Sequence, residues 1–297
     1  MGNKALGARG KVSYDPWLAP YHKDGFEKYG HGHGHVIFVK EGYMRWSGLR
    51  KKVLAGECVY GTMIRLARDP GAPAVYKAAG YDFVFIDMEH GSYSMETVAD
   101  LIRGAKSVGI GTVIRVPRLQ TFFISRVLDA GAEGIMVPMT STRADAEAIA
   151  RFSKYAPIGQ RGFGSGAMND YEPVKTVEFM KEANDHTLIV AQIETKEAIE
   201  NIDAILSVEG IDVGLIGPND LSIALGIPDQ MNSEIQTKAI EKVVETAKKR
   251  VKASGIHIAS VDAIKKWRAK GMTVLACNTD TGFQFAAAKS TLEEMKK

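Results

Sequence analysis

From about residue 48 onward, the sequence alternates between short apolar runs and longer stretches with helical periodicity. The runs are rich in Val, Ile and Phe, which favour β-strands. The stretches between most of them repeat apolar residues at helical spacing, and several end in Gly. Roughly eight such runs occur, and they read CVYGTMI, FVFIDMEH, TVIRV, GIMVP, LIVAQIE, VGLIG, IHIA and VLACN. Strands that alternate with helices form parallel βαβ units, so this rhythm limits the chain to few folds.

Eight strands of continuous apolar character predict a closed (β/α)8 TIM barrel, because parallel strands are buried on both faces. An open sheet that binds a dinucleotide would more often carry a glycine-rich turn after its first strand, and CVYGTMIRLARD has none. We therefore predict an α/β chain with an irregular N-terminal arm over residues 1–47. The barrel domain would occupy residues 48–297.

Composition excludes several functional classes. Hydrophobic residues make up 45% of the 297 positions, charged residues make up 25%, and the net charge is +3. These values are typical of a globular protein and do not indicate a nucleic acid or an anionic membrane as a partner. No apolar run is long enough to span a bilayer, and the N-terminus lacks the apolar core of a signal peptide. The two cysteines, Cys58 and Cys277, fit a reducing compartment, so we expect a cytoplasmic protein.

Polar side chains follow the apolar runs where each predicted strand ends. In barrels of this type, catalysis takes place at the carboxyl ends of the strands. Groups that follow different strands would therefore meet in one pocket. They are Asp87, Glu89, His90, Arg115, Gln192, Glu194, Asn219, Asp220, Asn278 and Asp280.

Glu194 and Asp220 form the best candidate pair for a metal. Two carboxylates, with water and a chelating substrate, suit Mg²⁺ or Mn²⁺, which prefer oxygen ligands. Each residue also has a structural interpretation. Asp220 is a suitable N-cap for the helix LSIALG, and Glu194 is a suitable exposed residue of a first helical turn.

His90 is the best candidate for proton transfer, since its pKa lies near neutrality and a carboxylate can orient it. Asp87 or Glu89 could supply that carboxylate, and the alternative is a structural histidine with satisfied hydrogen bonds. Arg115 could hold a carboxylate or stabilise an enolate oxygen. A salt bridge from Arg115 to Asp87 or Glu89 would be compatible with that role.

Two glycine-containing tracts lie outside the strand ends. RGFGSG, residues 161–166, could cradle an anion through its backbone amides. HGHGH, residues 31–35, brings His31, His33 and His35 to one side of an extended segment, which invites a metal site. Three imidazoles would favour Zn²⁺, Ni²⁺ or Cu²⁺, and we interpret this tract as structural or incidental. The alternative is that the arm reaches over a pocket, its own or that of a neighbouring subunit, and supplies a histidine on the aldehyde side.

Several of these motifs occur together in one known family. Their order along the chain resembles that of the class II pyruvate aldolases of the 4-hydroxy-2-oxoheptanedioate aldolase (HpcH/HpaI) family. The resemblance extends from about residue 48 to about residue 290. Met88 departs from the glycine that is usual there, and strand alternation directs Met88 away from Asp87 and Glu89. The motifs are FVFIDMEHG (83–91), VIRVP (113–117), VPM (137–139), RGFGS (161–165), QIET (192–195) and GPNDLS (217–222).

The resemblance implies cleavage of a 4-hydroxy-2-oxo acid to pyruvate, or a close 2-oxo acid, and an aldehyde through a metal-stabilised enolate. It also implies a last helix that swaps between subunits, with dimers that assemble into a hexamer. The alternative is a related barrel lyase or synthase that acts on oxaloacetate, citrate-like or acyl-CoA substrates.

The resemblance assigns a role to each matching residue. Glu194 and Asp220 would bind Mg²⁺, Mn²⁺ or Co²⁺. Arg115 and Gln192 would contact the 2-oxo acid. The carboxylate of this acid would accept hydrogen bonds from the backbone amides of Asn219 and Asp220. His90 paired with Asp87 would shuttle the proton, Glu89 would support this set, and Ser165 would help bind substrate on the aldehyde side.

Overall fold

The computed structural model describes residues 26–29 and 37–40 as backbone and all of residues 45–297. The chain divides into two compact units, Met1–Tyr43 and Met44–Lys297. In the first unit, β1 (Phe26–Tyr29) pairs antiparallel with β2 (Ile37–Lys40), in a region where the sequence predicts irregular structure. The HGHGH tract lies outside the described residues.

The second unit is a closed barrel of eight parallel strands, which confirms the predicted fold. The strands follow one another around the barrel in chain order, and the last one pairs with the first. Each of the eight predicted apolar runs lies on one of these strands. They are β3 (Val59–Ile64), β4 (Phe83–Asp87), β5 (Gly111–Arg115), β6 (Gly134–Val137), β7 (Leu188–Ile193), β8 (Val213–Ile216), β9 (Ala253–Ile258) and β10 (Val274–Thr279).

Helices surround the barrel and connect successive strands. Several begin after a Ser or Thr whose side chain accepts a backbone N–H of the first turn, as Ser94, Thr142 and Thr195 do. They are α1 (Leu49–Leu54), α2 (Ala72–Ala78), α3 (Met95–Val108), α4 (Thr121–Asp129), α5 (Arg143–Ser153), α6 (Thr176–His186), α7 (Lys196–Glu200), α8 (Ile202–Leu206), α9 (Pro218–Ala224), α10 (Glu234–Lys249), α11 (Val261–Ala269) and α12 (Asp280–Met295).

Alternation along β4 divides its side chains between two cores. Phe83 and Phe85 pack inside the barrel. Val84 and Ile86 pack in the layer between the strands and the helices, and so does Met88. The departure from glycine at position 88 is therefore a packing feature, as the sequence predicts. The inward-facing position that follows Phe85 is Asp87, so the same alternation directs its carboxylate into the mouth of the barrel.

No helix in the described part of the chain is both long enough and apolar enough to cross a membrane.

Candidate active site

A pocket of about 230 Å³ lies at the carboxyl ends of the barrel strands. Most of the predicted site residues line this pocket or contact residues that do, which is the usual place for a site in this fold. The described residues that line it include no lysine. They are Met63, Arg65, His90, Arg115, Met136, Gln192, Leu215, Ile216, Gly217, Pro218, Asn219, Asp220 and His257.

Asp87 and Arg115 form a buried ion pair at the mouth of the barrel. They are register partners at the ends of β4 and β5, which brings their inward-facing side chains together. Arg115 donates from Nε to Asp87 Oδ1 over 2.8 Å and from Nη2 to Oδ2 over 2.6 Å. Burial alone would raise the pKa of Asp87, but the hydrogen bonds and charge of Arg115 outweigh it and lower that pKa. Asp87 is therefore ionised, and it fixes the guanidinium in place.

Glu89 lies on the other side of Arg115, and His90 lies beside Glu89. Glu89 Oε2 is 3.1 Å from Arg115 Nη1 and 3.9 Å from His90 Nε2. Burial raises the pKa of Glu89 despite the nearby Arg115, and the charges of Asp87 and Asp220 add to this. The carboxylate nearest the imidazole is thus Glu89, one of the two partners that the sequence left open.

The ring of His90 does not pair with Asp87, which corrects the pairing implied by the resemblance. The two oxygens of Asp87 accept from Arg115, and Oδ1 also accepts the backbone N–H groups of Glu89 and His90. Oδ2 is also 3.2 Å from Arg65 Nε. With these partners in place, Asp87 contacts His90 only through the backbone.

Glu194 is buried, with 2% of its surface exposed, so it is not an exposed first-turn residue. Its Oε1 accepts the backbone N–H of Met139 over 2.7 Å, and Oε2 accepts Gln192 Nε2. Burial raises its pKa above the ordinary value, and the charges of Glu89 and Asp220 add to this. Gly217 lies so close to Glu194 that a Cβ there would overlap Oε2 of this carboxylate. Only glycine, which has no Cβ atom, therefore fits at this position of GPNDLS beside the Glu194 carboxylate.

Asp220 lies in the first turn of α9, and it is exposed, like Asn219 before it. The N-cap of α9 is Gly217, and no side chain caps this helix, so the N-cap interpretation of Asp220 is wrong. Its charge is close enough to raise the pKa values of both Glu89 and Glu194. Asp220 thus faces the same space as the two glutamates.

The donor set of this pocket fits a divalent cation. The charge of Asp220 raises the pKa of Glu89 and of Glu194, and Glu89 adds to the effect on Glu194, so a cation among these carboxylates would favour their ionised forms. The amide oxygen of Gln192 is buried and has no hydrogen-bond partner among the described residues. Among the described side chains, no three of the His, Cys, Asp and Glu type converge closely enough to form a metal site by themselves. Two protein carboxylates completed by water and substrate match how Mg²⁺ is usually held.

Ser165 lies apart from this pocket, which corrects its expected place in the substrate-binding set. Its loop connects a helix to a strand and therefore lies at the amino ends of the strands. In that loop, Arg161 Nη2 contacts Asp129 Oδ1 at the end of α4 over 2.7 Å, and Ala167 O accepts Lys106 Nζ from the last turn of α3. Ser165 itself bonds Asn169. The RGFGSG loop of this chain thus does not cradle a ligand in the pocket.

Arg65 and His257 line the pocket, and the sequence did not identify them. His257 Nε2 is 2.9 Å from the backbone oxygen of Asn278, and burial lowers the pKa of the ring. Strand alternation would have found both residues. Arg65 comes two positions after Met63, whose side chain faces into the barrel. His257 is likewise an inward-facing position near the end of β9. Asp280 instead accepts the backbone N–H groups of residues 65–67, so it is a structural anchor.

Comparisons with known proteins agree with the barrel fold. The family model HpcH/HpaI aldolase/citrate lyase matches residues 68–287. A 2-keto-3-deoxy-L-rhamnonate aldolase of Klebsiella pneumoniae is 34% identical over 203 residues, which cover 68% of this chain and 76% of that protein. The crystal structure of an HpcH/HpaI aldolase from Desulfitobacterium hafniense superposes with a TM-score of 0.81 at 33% identity and covers 84% of this chain and 96% of that one. The citrate synthase SbnG superposes with a TM-score of 0.76 at 33% identity and covers 85% of this chain and 98% of that one.

Proposed function

The chain belongs to the HpcH/HpaI aldolase/citrate lyase family and is a carbon–carbon lyase of the aldehyde-lyase class, and on that premise we propose its metal and the role of each residue. The reaction is the reversible cleavage of a 4-hydroxy-2-oxo acid to pyruvate, or a close 2-oxo acid, and an aldehyde. An enolate of the 2-oxo acid lies between the two.

Glu194 and Asp220 would hold Mg²⁺, Mn²⁺ or Co²⁺. The buried carboxylate of Glu194, with its raised pKa and its position opposite Asp220, supports this assignment. When bound, the ion would supply a Lewis acid that draws electron density from the carbonyl and carboxylate oxygens of the 2-oxo acid. Gln192 fixes one oxygen of Glu194, and its unpartnered amide oxygen remains available to a water molecule at the site.

Arg115 would stabilise the charge that develops on the C2 oxygen of the substrate. Its Nε and Nη2 are occupied by Asp87, so the guanidinium keeps one orientation before substrate binds. A preorganised cation costs no reorganisation when the enolate forms. The described residues that line the pocket include no lysine to form a Schiff base with the substrate carbonyl.

His90 would move the proton. In the cleavage direction, a water beside His90 takes the proton of the C4 hydroxyl as the C3–C4 bond breaks, and the aldehyde leaves. The bonding electrons pass to the enolate, and the proton returns to C3 to give the methyl group of pyruvate. Glu89, 3.9 Å from the imidazole, would orient the ring.

The first turn of α9 would take the carboxylate of the 2-oxo acid. No side chain caps this turn, so the backbone N–H groups of Asn219 and Asp220 are available for an anion. Asn219 also lines the pocket. The carboxylate would then lie beside Asp220, on the same side as the proposed metal.

A second candidate is a synthase or lyase that acts on oxaloacetate or citrate-like acids. The similarity to the citrate synthase SbnG supports it, and the same arginine would stabilise that enolate. Production of citrate-like acids from oxaloacetate, at a rate above that of aldehyde condensation, would favour this candidate.

The observation that carries the proposal is the buried carboxylate of Glu194, whose pKa is raised by burial and by the charges of Glu89 and Asp220, behind the pocket that Arg115 and Asp220 line. The test is condensation of pyruvate with a panel of aldehydes, read by mass spectrometry, together with cleavage of 2-keto-3-deoxy-L-rhamnonate. We expect adducts with Mg²⁺, Mn²⁺ or Co²⁺ present and none after chelation with EDTA. Undiminished turnover after thorough chelation would contradict the metal assignment.

Assembly through α12 is the remaining part of the proposal. Of the residues of α12, only Asp280 is buried, whereas Phe285, Leu292 and Met295 are exposed. A helix whose apolar side chains are exposed to solvent would gain stability by burying them against a neighbouring subunit. We therefore propose subunits that exchange this helix and form dimers, and dimers that form a hexamer.

The free thiols Cys58 and Cys277 support a cytoplasmic, reducing location.

A further inference from the structure

A cavity of about 360 Å³ lies at the amino ends of the barrel strands, at the other end of the barrel from the catalytic pocket. The ends of α1 and α10 form part of its wall, and the turns that lead into β9 and β10 form the rest. Its volume falls within the range of small-molecule sites, about 300 to 1,000 Å³. None of the roles proposed above uses this cavity.

The lining of this cavity carries positive charge. It includes Lys248, Lys252 and Lys270, and no Asp or Glu among the described residues. Lys270 is neutralised by an ion pair with Glu241. Lys248 and the half-buried Lys252 form no ion pair with the described part of the chain. Two ammonium groups without a counter-charge make the cavity attractive to an anion.

Two hydroxyl groups next to these lysines have no hydrogen-bond partner among the described residues. Ser254 lies on β9 with only 3% of its surface exposed, and Thr273 comes directly before β10. The backbone N–H of Thr273 donates to the backbone oxygen of Ser254 over 3.1 Å, so the two residues are neighbours. Lys252 comes two positions before Ser254, and both line the cavity. Because a buried polar group normally has a partner, the free hydroxyl of Ser254 indicates a ligand with a hydrogen-bonding group.

The wall that faces these polar groups is apolar. Val244 lies one turn before Lys248 on α10, so both side chains lie on the face of α10 that meets the cavity. Leu54 is 52% exposed and Val251 is 88% exposed. Val251 also has a φ of 55°, a left-handed conformation that residues branched at Cβ rarely adopt. The chain thus keeps an apolar side chain at the rim of the cavity where asparagine or glycine would suit the backbone better.

We propose that this cavity is a second ligand site, and that it binds a small amphiphilic anion. The carboxylate or phosphate group of the ligand lies against Lys252 and accepts hydrogen bonds from the hydroxyls of Ser254 and Thr273. The apolar body of the ligand covers the leucine and the valines of the wall. Because the site lies at the other end of the barrel from the reaction, it does not depend on which acid the lyase cleaves.

The test is a ligand-observed NMR titration with octanoate, octyl phosphate and 1-octanol, probes of the same chain length. We expect octanoate or octyl phosphate to bind more tightly than 1-octanol, and the tighter of the two identifies the head group. Inorganic phosphate should bind more weakly than octyl phosphate, because it lacks the body that the apolar wall contacts. Saturating pyruvate with Mg²⁺ should leave these affinities unchanged, since it fills the opposite end of the barrel.

Lys252→Met removes the charge of the side chain but keeps its apolar stem. It should weaken binding of the preferred charged probe by roughly 10- to 100-fold, the range expected for a lost hydrogen bond to a charged group. Ser254→Ala should weaken the same binding by a smaller factor. Lys242→Met is the matched control, because Lys242 is an exposed lysine of α10 that does not line the cavity. It should bind the probes like the wild type.

Val251→Asn tests the apolar wall without a risk to the fold. Asparagine tolerates the left-handed conformation better than valine, so this variant should be at least as stable as the wild type in urea denaturation. It should bind octanoate and octyl phosphate more weakly, because the ligand loses an apolar contact at the rim. Wild-type affinity in this variant would overturn the part of the proposal that assigns an apolar body to the ligand.

Other outcomes would overturn the site as a whole. These are no saturable binding of octanoate or octyl phosphate, equal affinity for 1-octanol and both charged probes, or displacement of the charged probes by pyruvate with Mg²⁺. Wild-type affinity in both Lys252→Met and Ser254→Ala would also overturn it. Exchange of the pyruvate methyl protons at the wild-type rate in Lys252→Met would show that the loss of binding is confined to this cavity, and it tests the proposed function separately.

Discussion

At the scale of single residues, Arg115 combines a structural and a chemical task. Removal of its side chain would leave Arg65 as the only ion-pair partner of the buried Asp87 carboxylate among the described residues. We expect Arg115→Ala to lower the free energy of unfolding by about 3 kcal/mol, as seen when one partner of a buried ion pair is lost. Urea denaturation measures this. Arg118→Ala, at an exposed arginine three positions along, is the control and should be nearly neutral. Equal stability of the two variants would contradict the account.

Glu194 provides the second prediction at this scale. Glu194→Gln keeps the shape of the side chain but removes the charge that we assign to the metal. We expect the affinity for Mn²⁺, measured by calorimetry, to fall by at least about 100-fold. Glu197→Gln, an exposed glutamate in the first turn of α7, should bind Mn²⁺ like the wild type. Retained affinity in Glu194→Gln would place the metal elsewhere.

The site residues that could be predicted are those that interrupt an apolar run. Asp87, Arg115 and Glu194 each follow a recognisable strand, and the fold sends their side chains to one mouth. Arg65 does not interrupt an apolar run, so this criterion could not identify it. It comes directly after the apolar run of β3, at the next inward-facing position. Ser165 was misplaced because a motif does not state at which end of the barrel its loop lies.

At the scale of elements, the strands were predictable, since the barrel strands are largely apolar along their length and are bounded by turns. β1 and β2 were not predicted. Each has only four residues, so the sequence carries little periodic signal for them. The sequence also could not identify which carboxylate lies next to His90, because this depends on the hydrogen bonds that Arg115 donates to Asp87.

Lys154 joins two elements and should make stability depend on pH. It follows α5, is buried, and donates from Nζ to the carbonyl oxygens of Asn184 and Thr187, each over 2.6 Å. Burial lowers its pKa from 10.5 to about 8. Between these values the unfolded chain holds a proton that the folded chain has lost, so this group makes the fold more stable as pH rises.

We expect the unfolding free energy of the wild type, relative to Lys154→Met, to increase by about 3 kcal/mol from pH 8 to pH 10.5. Urea denaturation at a series of pH values measures the difference, and other titrating groups cancel. Lys181→Met, at an exposed lysine of α6, should show the wild-type slope. A difference between the wild type and Lys154→Met that stays flat across this range would show that Lys154 keeps its proton.

At the scale of the whole molecule, α12 is the element that a single chain leaves exposed. We expect Phe285→Glu combined with Leu292→Glu to reduce the assembly to smaller species, because charges would replace the apolar contacts of that helix. Light scattering coupled to size-exclusion chromatography measures the mass. Thr291→Glu, on the same helix, is the control and should retain the wild-type mass. A double variant that assembles like the wild type would exclude α12 from the interface.

The central claim is that Glu194, Asp220 and Arg115 together stabilise an enolate of pyruvate. Exchange of the pyruvate methyl protons in D₂O, followed by NMR without any aldehyde, tests it most directly. The account predicts exchange with Mg²⁺ or Mn²⁺, loss of exchange with EDTA, and loss in Glu194→Gln and Arg115→Ala but not in Glu197→Gln. Exchange that persists at the wild-type rate after chelation, or in Arg115→Ala, would contradict it.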